Sequence, residues 1–433
     1  MPELLIKGGR LLSGTGQARG DVLVSGDSIL AVGEGLEAPL GARVLEADGA
    51  VVAPGLVDLH AHLRQPGSEV AETIETGSRA AAVGGYTAVV AMPNTEPAID
   101  EVSVARDVLA LGRQACCEVS VAGAITIGRK GERLAPLGQL AGLGIHLFTD
   151  DGRGVQDASL MRRALEYASD LDVVLAEHCE DESLSAGGQM HEGAWSSRLG
   201  IPGQSRLSEE VMLGRDLALV RSVGAPMHFL HLSTAGSLEA LRRAKSEGLP
   251  VTAEVTPHHL TLTDAEVASY DSVYKVNPPL REASDVEALR QGLADGLVDA
   301  VATDHAPHQA ETKERPFDEA PFGMLGLETA LSVCWTALSD RLSLAELLAA
   351  FSTRPARIAR LDVASGGRQG GAVAAGQPAN LVVFDPEASY EVERARICSL
   401  SRNTPFAGRK LRGRVRHTIY EGEPVVIDGE ARR

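Results

Sequence analysis

Two histidines one residue apart, His60 and His62, close an apolar run in VDLHAHLRQPG (Val57 to Gly67), and Arg64 follows two residues later. Neutral imidazole suits zinc or a similar divalent ion, and a guanidinium can grip a carboxylate with two parallel hydrogen bonds. In an extended segment residues two apart point the same way, so both rings can reach one ion. The competing reading is a strand that merely ends in hydrogen-bonded histidines. Further along, Asp150 and Asp151 end GIHLFTD, His178 ends DVVLAEH, His231 lies in PMHFLHL, and Asp304 follows VDAVAT. Taken singly, each is more often structural than a ligand. Converging at one place, four imidazoles and two carboxylates would be costly to bury without a cation. They are too many for one tetrahedral ion, and two ions sharing a carboxylate would use them.

Something must bring these residues together. From residue 55, eight short apolar runs alternate with helix-like stretches: GLVDLH, YTAVVAM, CEVSVAGAI, GIHLFTD, DVVLAEH, PMHFLHL, PVTAEV and VDAVAT. Between them lie segments such as ETGSRAAAVGG, SLMRRALEYASD, SEEVMLGRDLALVRSVG, GSLEALRRAKSEG and ASDVEALRQGLADG. Eight strand–helix units over some three hundred residues fit an α/β fold of the (β/α)8 TIM-barrel type, with a doubly wound sheet as the alternative. The candidate ligands all fall at C-terminal ends of runs, the face where barrels build their sites. The first fifty residues (ELLIKGGRLL, GDVLVSGDSILAVG, ARVLEADGAVVAPG) read as strands and turns. The pattern returns in GGAVAAGQPANLVVFD, SYEVE and GRVRHTIYEGEPVV. Residues 1–54 and 365–433 are therefore expected to form one composite β-sandwich domain beside a barrel of residues 55–364.

Other polar residues are secondary. Asn94 lies in the loop after the second run and Asn277 in the connection after the seventh. His146 and His228 sit inside runs and read as packed, while His191 and His417 read as surface or loop residues. His258 and His259, in TPHHL, are supporting groups at most. His305 and His308 flank Asp304 and open a charged loop, HAPHQAETKERPFDEAPFG (His305 to Gly323), which reads as a cover over a ligand. His308 is the better candidate for a substrate contact.

The composition excludes several classes. With 41 Lys and Arg against 59 Asp and Glu, the net charge is -18, which opposes binding to nucleic-acid phosphates. An anionic substrate would need a local positive group. The 5 cysteines, Cys116, Cys117, Cys179, Cys334 and Cys398, show no CxxC spacing, against a disulfide framework or a cysteine zinc site. MPELLIKGGRLLSG lacks signal-peptide architecture, and no uncharged apolar run approaches the ~18 residues of a membrane span. A cytoplasmic location is expected. Aromatics are 3% against 44% hydrophobic residues, so any core must be Val, Leu and Ala.

The segments DLHAHLRQPG, AMPNTEP, FTDDG, AEHCED, HLS, VNPPLR, TDHAPH and APFGMLGLET together resemble the amidohydrolase superfamily and, within it, the bacterial type I dihydroorotase family. The resemblance runs from about residue 50 to residue 330 and takes in GQPANLVVFD. It implies that His60, His62 and Asp304 hold one zinc ion, that Asp151, His178 and His231 hold a second, and that Asp151 bridges the two, with Asp150 as the alternative bridge. It assigns Arg64, Asn94, Asn277 and His308 to the substrate, with backbone contacts from Phe322 and Gly323. Many relatives bridge their ions with a carboxylated lysine at the end of the fourth strand. GIHLFTDDG has none, the nearest upstream being Lys130. Gln65 stands where the family usually has an acidic residue, which leaves the partner of Arg64 open.

The implied reaction is the reversible cyclisation of N-carbamoyl-L-aspartate to L-dihydroorotate in de novo pyrimidine (UMP) synthesis. Divalent metal lowers the pKa of a bound water from about 15.7 to about 7. Asp304 then serves as general base and general acid, and Arg64 supplies the positive group the acidic chain otherwise lacks. The resemblance further implies a homodimer and admits association with aspartate transcarbamoylase, with no nucleic-acid or membrane partner. Two other readings compete: a cyclic amidohydrolase acting on hydantoin, allantoin or dihydropyrimidine, and a catalytically silent partner subunit of aspartate transcarbamoylase.

Overall fold

The structure, a computed structural model, describes residues 3–13 and 16–432. Its middle contains parallel strands β1 (Leu56–Ala61), β2 (Tyr86–Ala91), β3 (Glu118–Val121), β4 (Leu147–Phe148), β5 (Val174–Glu177), β6 (Met227–Phe229), β7 (Val251–Val255) and β8 (Ala300–Val301). Each corresponds to one of the runs read from the sequence. They form a three-stranded sheet, β1 to β3, and a five-stranded sheet, β4 to β8. Single parallel bridges join the two, Gly123 with Phe148 and Ala61 with His305.

The strands read as unbroken apolar runs because both of their faces are covered. Alternate residues divide between two cores. Val57 and Leu59, Ala88 and Val90, Leu147, Val174 and Ala176, and Ala300 enter one cluster, closed off by Ala356 and Ile358. Leu56, Val89, Ala91, Val119, Phe148, Leu175 and Phe229 enter the other, with the surrounding helices. Each buried Val or Leu contributes about 1.5–3 kcal/mol, so small aliphatic side chains suffice where aromatics are scarce.

Helices return the chain between strands, as in Ile74–Val83, Ala158–Ser169, Leu207–Val223, Ala235–Ser246 and Ala283–Ala294. Their starts are locally encoded: the side chains of Thr73, Asp157 and Thr234 accept backbone N–H groups of the first turn, as Ser, Thr and Asp do at N-caps.

The terminal segments share one sheet. Val51–Pro54 pairs antiparallel with Leu381–Glu391, Val52 opposite Val383. Leu4–Ser13 pairs with Gly16–Ser25 on one edge and with Arg43–Glu46 and then Val51–Pro54 on the other. The result is one hydrogen-bonded sheet of nine strands, eight of them in a single path and Arg43–Glu46 pairing off it with Leu4–Ser13. Ser28 bridges back to Pro378, so this sheet curls around a cluster containing Ile6, Val24, Ile29, Leu45, Val52, Val383 and Ile419. SYEVE is not a separate strand but the far end of Leu381–Glu391, beyond a register shift at Asp385/Ser389.

Two histidines expected at the surface are buried, His191 and His417. His191 lies between arginines. The ring of His417 accepts the Asp428 amide at Nδ1 across a strand pair. None of the cysteines is in a disulfide. Among the described residues no helix is long and apolar enough to cross a membrane.

Candidate metal centre

The strand ends bring four imidazoles and two carboxylates into one buried cluster. His60 Nε2 lies 3.3 Å from Asp151 Oδ1 and 3.6 Å from Asp304 Oδ1. His62 Nε2 lies 3.0 Å from Asp304 Oδ1 and 3.6 Å from Asp151 Oδ2. His178 Nδ1 and His231 Nε2 each stand 3.6 Å from Asp151 Oδ1 and 3.0 Å from each other. Two trios, His60–His62–Asp151 and Asp151–His178–His231, each have their donor atoms within 4.8 Å of one another. Asp151 belongs to both. Asp304 touches His60 and His62 but stands outside either trio.

Asp150 does something else: it accepts the Thr126 amide at 3.0 Å and the Thr126 hydroxyl, which ties the end of β4 to the loop after β3. Of the two adjacent aspartates, Asp151 is the one that faces all four imidazoles.

The donor set fits a cation. His60 Nε2 is buried without a hydrogen-bond partner among the described residues, although carboxylates face it. Burial alone would push His178 down, yet Asp151 and Glu180 lift it to about 10. Burial likewise opposes a charge on His60, and Asp151 and Glu254 raise it nevertheless. Against burial, the histidines hold Asp151 and Asp304 well below the usual carboxylate range. For His62, burial wins and lowers it, against the Asp304 carboxylate 3.0 Å from its Nε2. The cluster calls for positive charge at its centre, which a divalent ion with imidazole and carboxylate ligands supplies.

Three of the four far ring nitrogens are anchored. His60 Nδ1 donates to Glu254 at 3.1 Å, His62 Nδ1 to Asn94 Oδ1 at 2.9 Å, and His178 Nε2 to Glu180 at 2.8 Å. Such partners orient metal-binding imidazoles. The sequence reading missed Glu254 and Glu180; their only signal was position, in PVTAEV and AEHCED. It gave Asn94 and Asn277 to the substrate. Here Asn94 holds His62, and Asn277 Nδ2 donates to Glu180 at 2.6 Å.

Arg64 lies at the rim. It donates from Nε to the Pro307 carbonyl at 3.1 Å, and its Nη2 stands 3.4 Å from His308 Nε2. Burial lowers its pKa, while Asp304, Asp151 and Glu72 act to hold its charge. Glu72 is thus the nearby carboxylate outside the cluster, and Gln65 instead accepts the Ile74 amide at the start of a helix. His308 donates from Nε2 to the Phe322 carbonyl at 2.7 Å, and burial and Arg64 lower it to about 3. The Gly323 amide donates to the Lys275 carbonyl at 2.9 Å. Asn403, from the C-terminal segment, accepts the His308 amide and donates to the Ala306 and Gly323 carbonyls; nothing in its sequence context pointed to this. Arg64, His231 and Asp304 all have positive φ, at 59°, 31° and 46°, a conformation non-glycine residues rarely hold outside over-determined sites.

A third trio, His191, Asp264 and Glu282, also has metal-ligand spacing. Arg281 and Arg206 stand 3.2 and 3.4 Å from the two ring nitrogens of His191, and these guanidiniums oppose a cation there.

Comparison with known proteins agrees with this geometry. The Dihydro-orotase-like family profile matches residues 49–237. The chain is 49% identical to a dihydroorotase of Streptomyces coelicolor over 435 aligned positions, covering 99% of this chain and 100% of the relative. It is 48% identical to a dihydroorotase of Mycobacterium tuberculosis, again over 99% and 100%. Among solved structures it resembles the L-hydantoinase (dihydropyrimidinase) of Arthrobacter aurescens, with a TM-score of 0.88 and 25% identity over 100% of this chain and 97% of that one.

Proposed function

The chain belongs to the dihydroorotase family, and from that premise we infer that it interconverts N-carbamoyl-L-aspartate and L-dihydroorotate in pyrimidine synthesis. The observation that carries this is Asp151, shared by two ligand trios, with Arg64 at their rim. Its substrates are anions, and in a chain of net charge -18 a local guanidinium offsets an unfavourable field.

In this reading His60, His62 and Asp151 hold one zinc ion, Asp151, His178 and His231 hold another, and Asp304 adds a ligand to the first. Bound zinc lowers the pKa of a water to about 7 and polarises a carbonyl. The remaining steps belong to side chains. Arg64 binds the substrate carboxylate, with His308 beside it. Asn94, Asn277 and the backbone of Phe322 and Gly323 line the rest of the mouth, exchanging present hydrogen bonds for substrate ones. Asp304 is kept ionised by the histidines around it. It accepts the proton of the attacking water and returns it to the ring nitrogen as the carbon–nitrogen bond breaks. The reverse sequence closes the ring.

Two further readings accompany this one. The paired bridges at Gly123–Phe148 and Ala61–His305, with alternate residues of both sheets meeting in one core, support a closed (β/α)8 barrel over residues 55–364 beside a β unit of residues 1–54 and 365–433. A cytoplasmic homodimer, able to associate with aspartate transcarbamoylase, is our reading of the quaternary state. The intact ligand set argues against a catalytically silent subunit.

A substrate panel with added zinc tests the assignment. Dihydroorotate should be hydrolysed at least 100-fold more efficiently than hydantoin, allantoin or dihydrouracil. Comparable rates on the rings without a carboxylate would move the protein to the hydantoinase-like class, whose members share its fold.

A further inference from the structure

Glu254, on β7, is completely buried, and a lone carboxylate there would be costly. Both of its oxygens are engaged. Oε1 accepts from His60 Nδ1 at 3.1 Å and lies 3.4 Å from the His231 amide. Oε2 accepts from His228 Nε2 at 3.0 Å, and His228 Nδ1 in turn meets the Thr252 hydroxyl at 2.8 Å. The carboxylate therefore ties β1, β6 and β7 together beneath the ligand cluster.

An ionised carboxylate only accepts hydrogen bonds, so the proton between it and His60 resides on Nδ1. The other ring nitrogen is then a bare lone pair. That nitrogen, Nε2, is the buried one without a hydrogen-bond partner, 3.3 Å from Asp151. His231 differs: its far nitrogen, Nδ1, has no partner among the described residues. The two ligand trios are thus supported unequally.

We propose that Glu254 is a positioning residue for the His60–His62 subsite, fixing His60 as the tautomer whose Nε2 faces the ion, with His228 and Thr252 holding Glu254 in place. This rests on the reading of the cluster as a two-ion centre. Glutamine at 254 either turns its amide NH2 toward His60, which reverses the tautomer, or keeps a carbonyl there without the charge that strengthens the ligand. Loss of such a partner typically weakens metal binding about 10–100-fold. The His178–His231 subsite keeps its own partner, Glu180, and should be spared.

The test uses zinc alone on the full chain. Chelator competition gives the two affinities, and anomalous diffraction from zinc-soaked crystals shows which subsite fills. For Glu254→Gln, binding at His60–His62 should fall about 10–100-fold, with His178–His231 within about threefold of wild type. Melting of the zinc-free protein reports folding separately. Should Glu254→Gln not fold, His228→Gln frees one side of Glu254 and should weaken the same subsite by a smaller factor. Unchanged affinity at His60–His62, or equal loss at both subsites, overturns the proposal. If wild-type protein takes up no zinc at these residues, the two-ion reading fails instead, before Glu254 is tested.

Discussion

At the scale of single residues, the two carboxylates of the cluster stand differently toward its histidines. Asp151 lies in both trios, whereas Asp304 touches only the His60–His62 side. Asp304→Asn keeps the shape and one oxygen but removes the base. Turnover of dihydroorotate should fall by about 10²–10⁴, the usual worth of a general base, while zinc content measured by atomic absorption stays at the wild-type level. A parallel loss of zinc would make Asp304 chiefly a ligand, and undiminished turnover would remove it from proton transfer. The four histidines of the cluster were legible in the sequence as candidates because they end the first, fifth and sixth apolar runs, and a position at a strand end is a chemical address in such folds. The carboxylates behind them were not. Glu254 sits inside an apolar run and Glu180 in an acidic stretch, and only three-dimensional contact shows that each faces an imidazole nitrogen.

At the scale of elements, the strand ends supply the histidine–aspartate cluster and a connecting loop supplies its rim. All eight runs read from the sequence became strands, since parallel strands covered on both faces leave continuous apolar runs. Which strands of the two terminal segments pair was not legible, because pairing between segments over three hundred residues apart leaves no local pattern. The 305–323 loop returns to its own start: His308 reaches Phe322, and Lys313 donates to the Pro321 and Gly323 carbonyls. Gly323 makes that closure possible. Its φ is 133°, and a Cβ there would lie 2.7 Å from the Ala306 Cβ and 2.8 Å from His308 Nε2. Gly323→Ala should therefore push His308 away from Arg64, raising KM for dihydroorotate about tenfold or more with zinc content unchanged. An unaltered KM would show that this corner of the loop does not shape the substrate site.

At the scale of the whole molecule, the C-terminal segment is latched to the middle of the chain by two carboxylates of opposite electrostatic character. Glu72 accepts from His305, the Ser399 hydroxyl and the Leu400 amide, and these partners outweigh burial and lower its pKa. Glu328 accepts the Cys398 and Ser399 amides, but burial dominates and raises it from 4.5 to about 7. A carboxyl raised in the folded state favours folding most fully below its unfolded pKa, and that contribution is lost as pH rises through the folded one. Glu328 should thus erode stability between about pH 4.5 and pH 7, whereas Glu72, lowered in the folded state, loses its contribution on acidification instead. Glu328→Gln cannot ionise and keeps an oxygen for the two amides. Melting temperatures of the zinc-free variant and wild type, taken across this window, should converge toward pH 4.5. By pH 8 the variant should have gained on wild type by up to about 3 kcal/mol, the worth of a shift from 4.5 to about 7, read as a rise of a few °C in its relative melting temperature. Other titrating groups are common to both proteins and cancel in the difference. Two curves that stay parallel from pH 4.5 to pH 8 would mean that Glu328 ionises at its ordinary pKa.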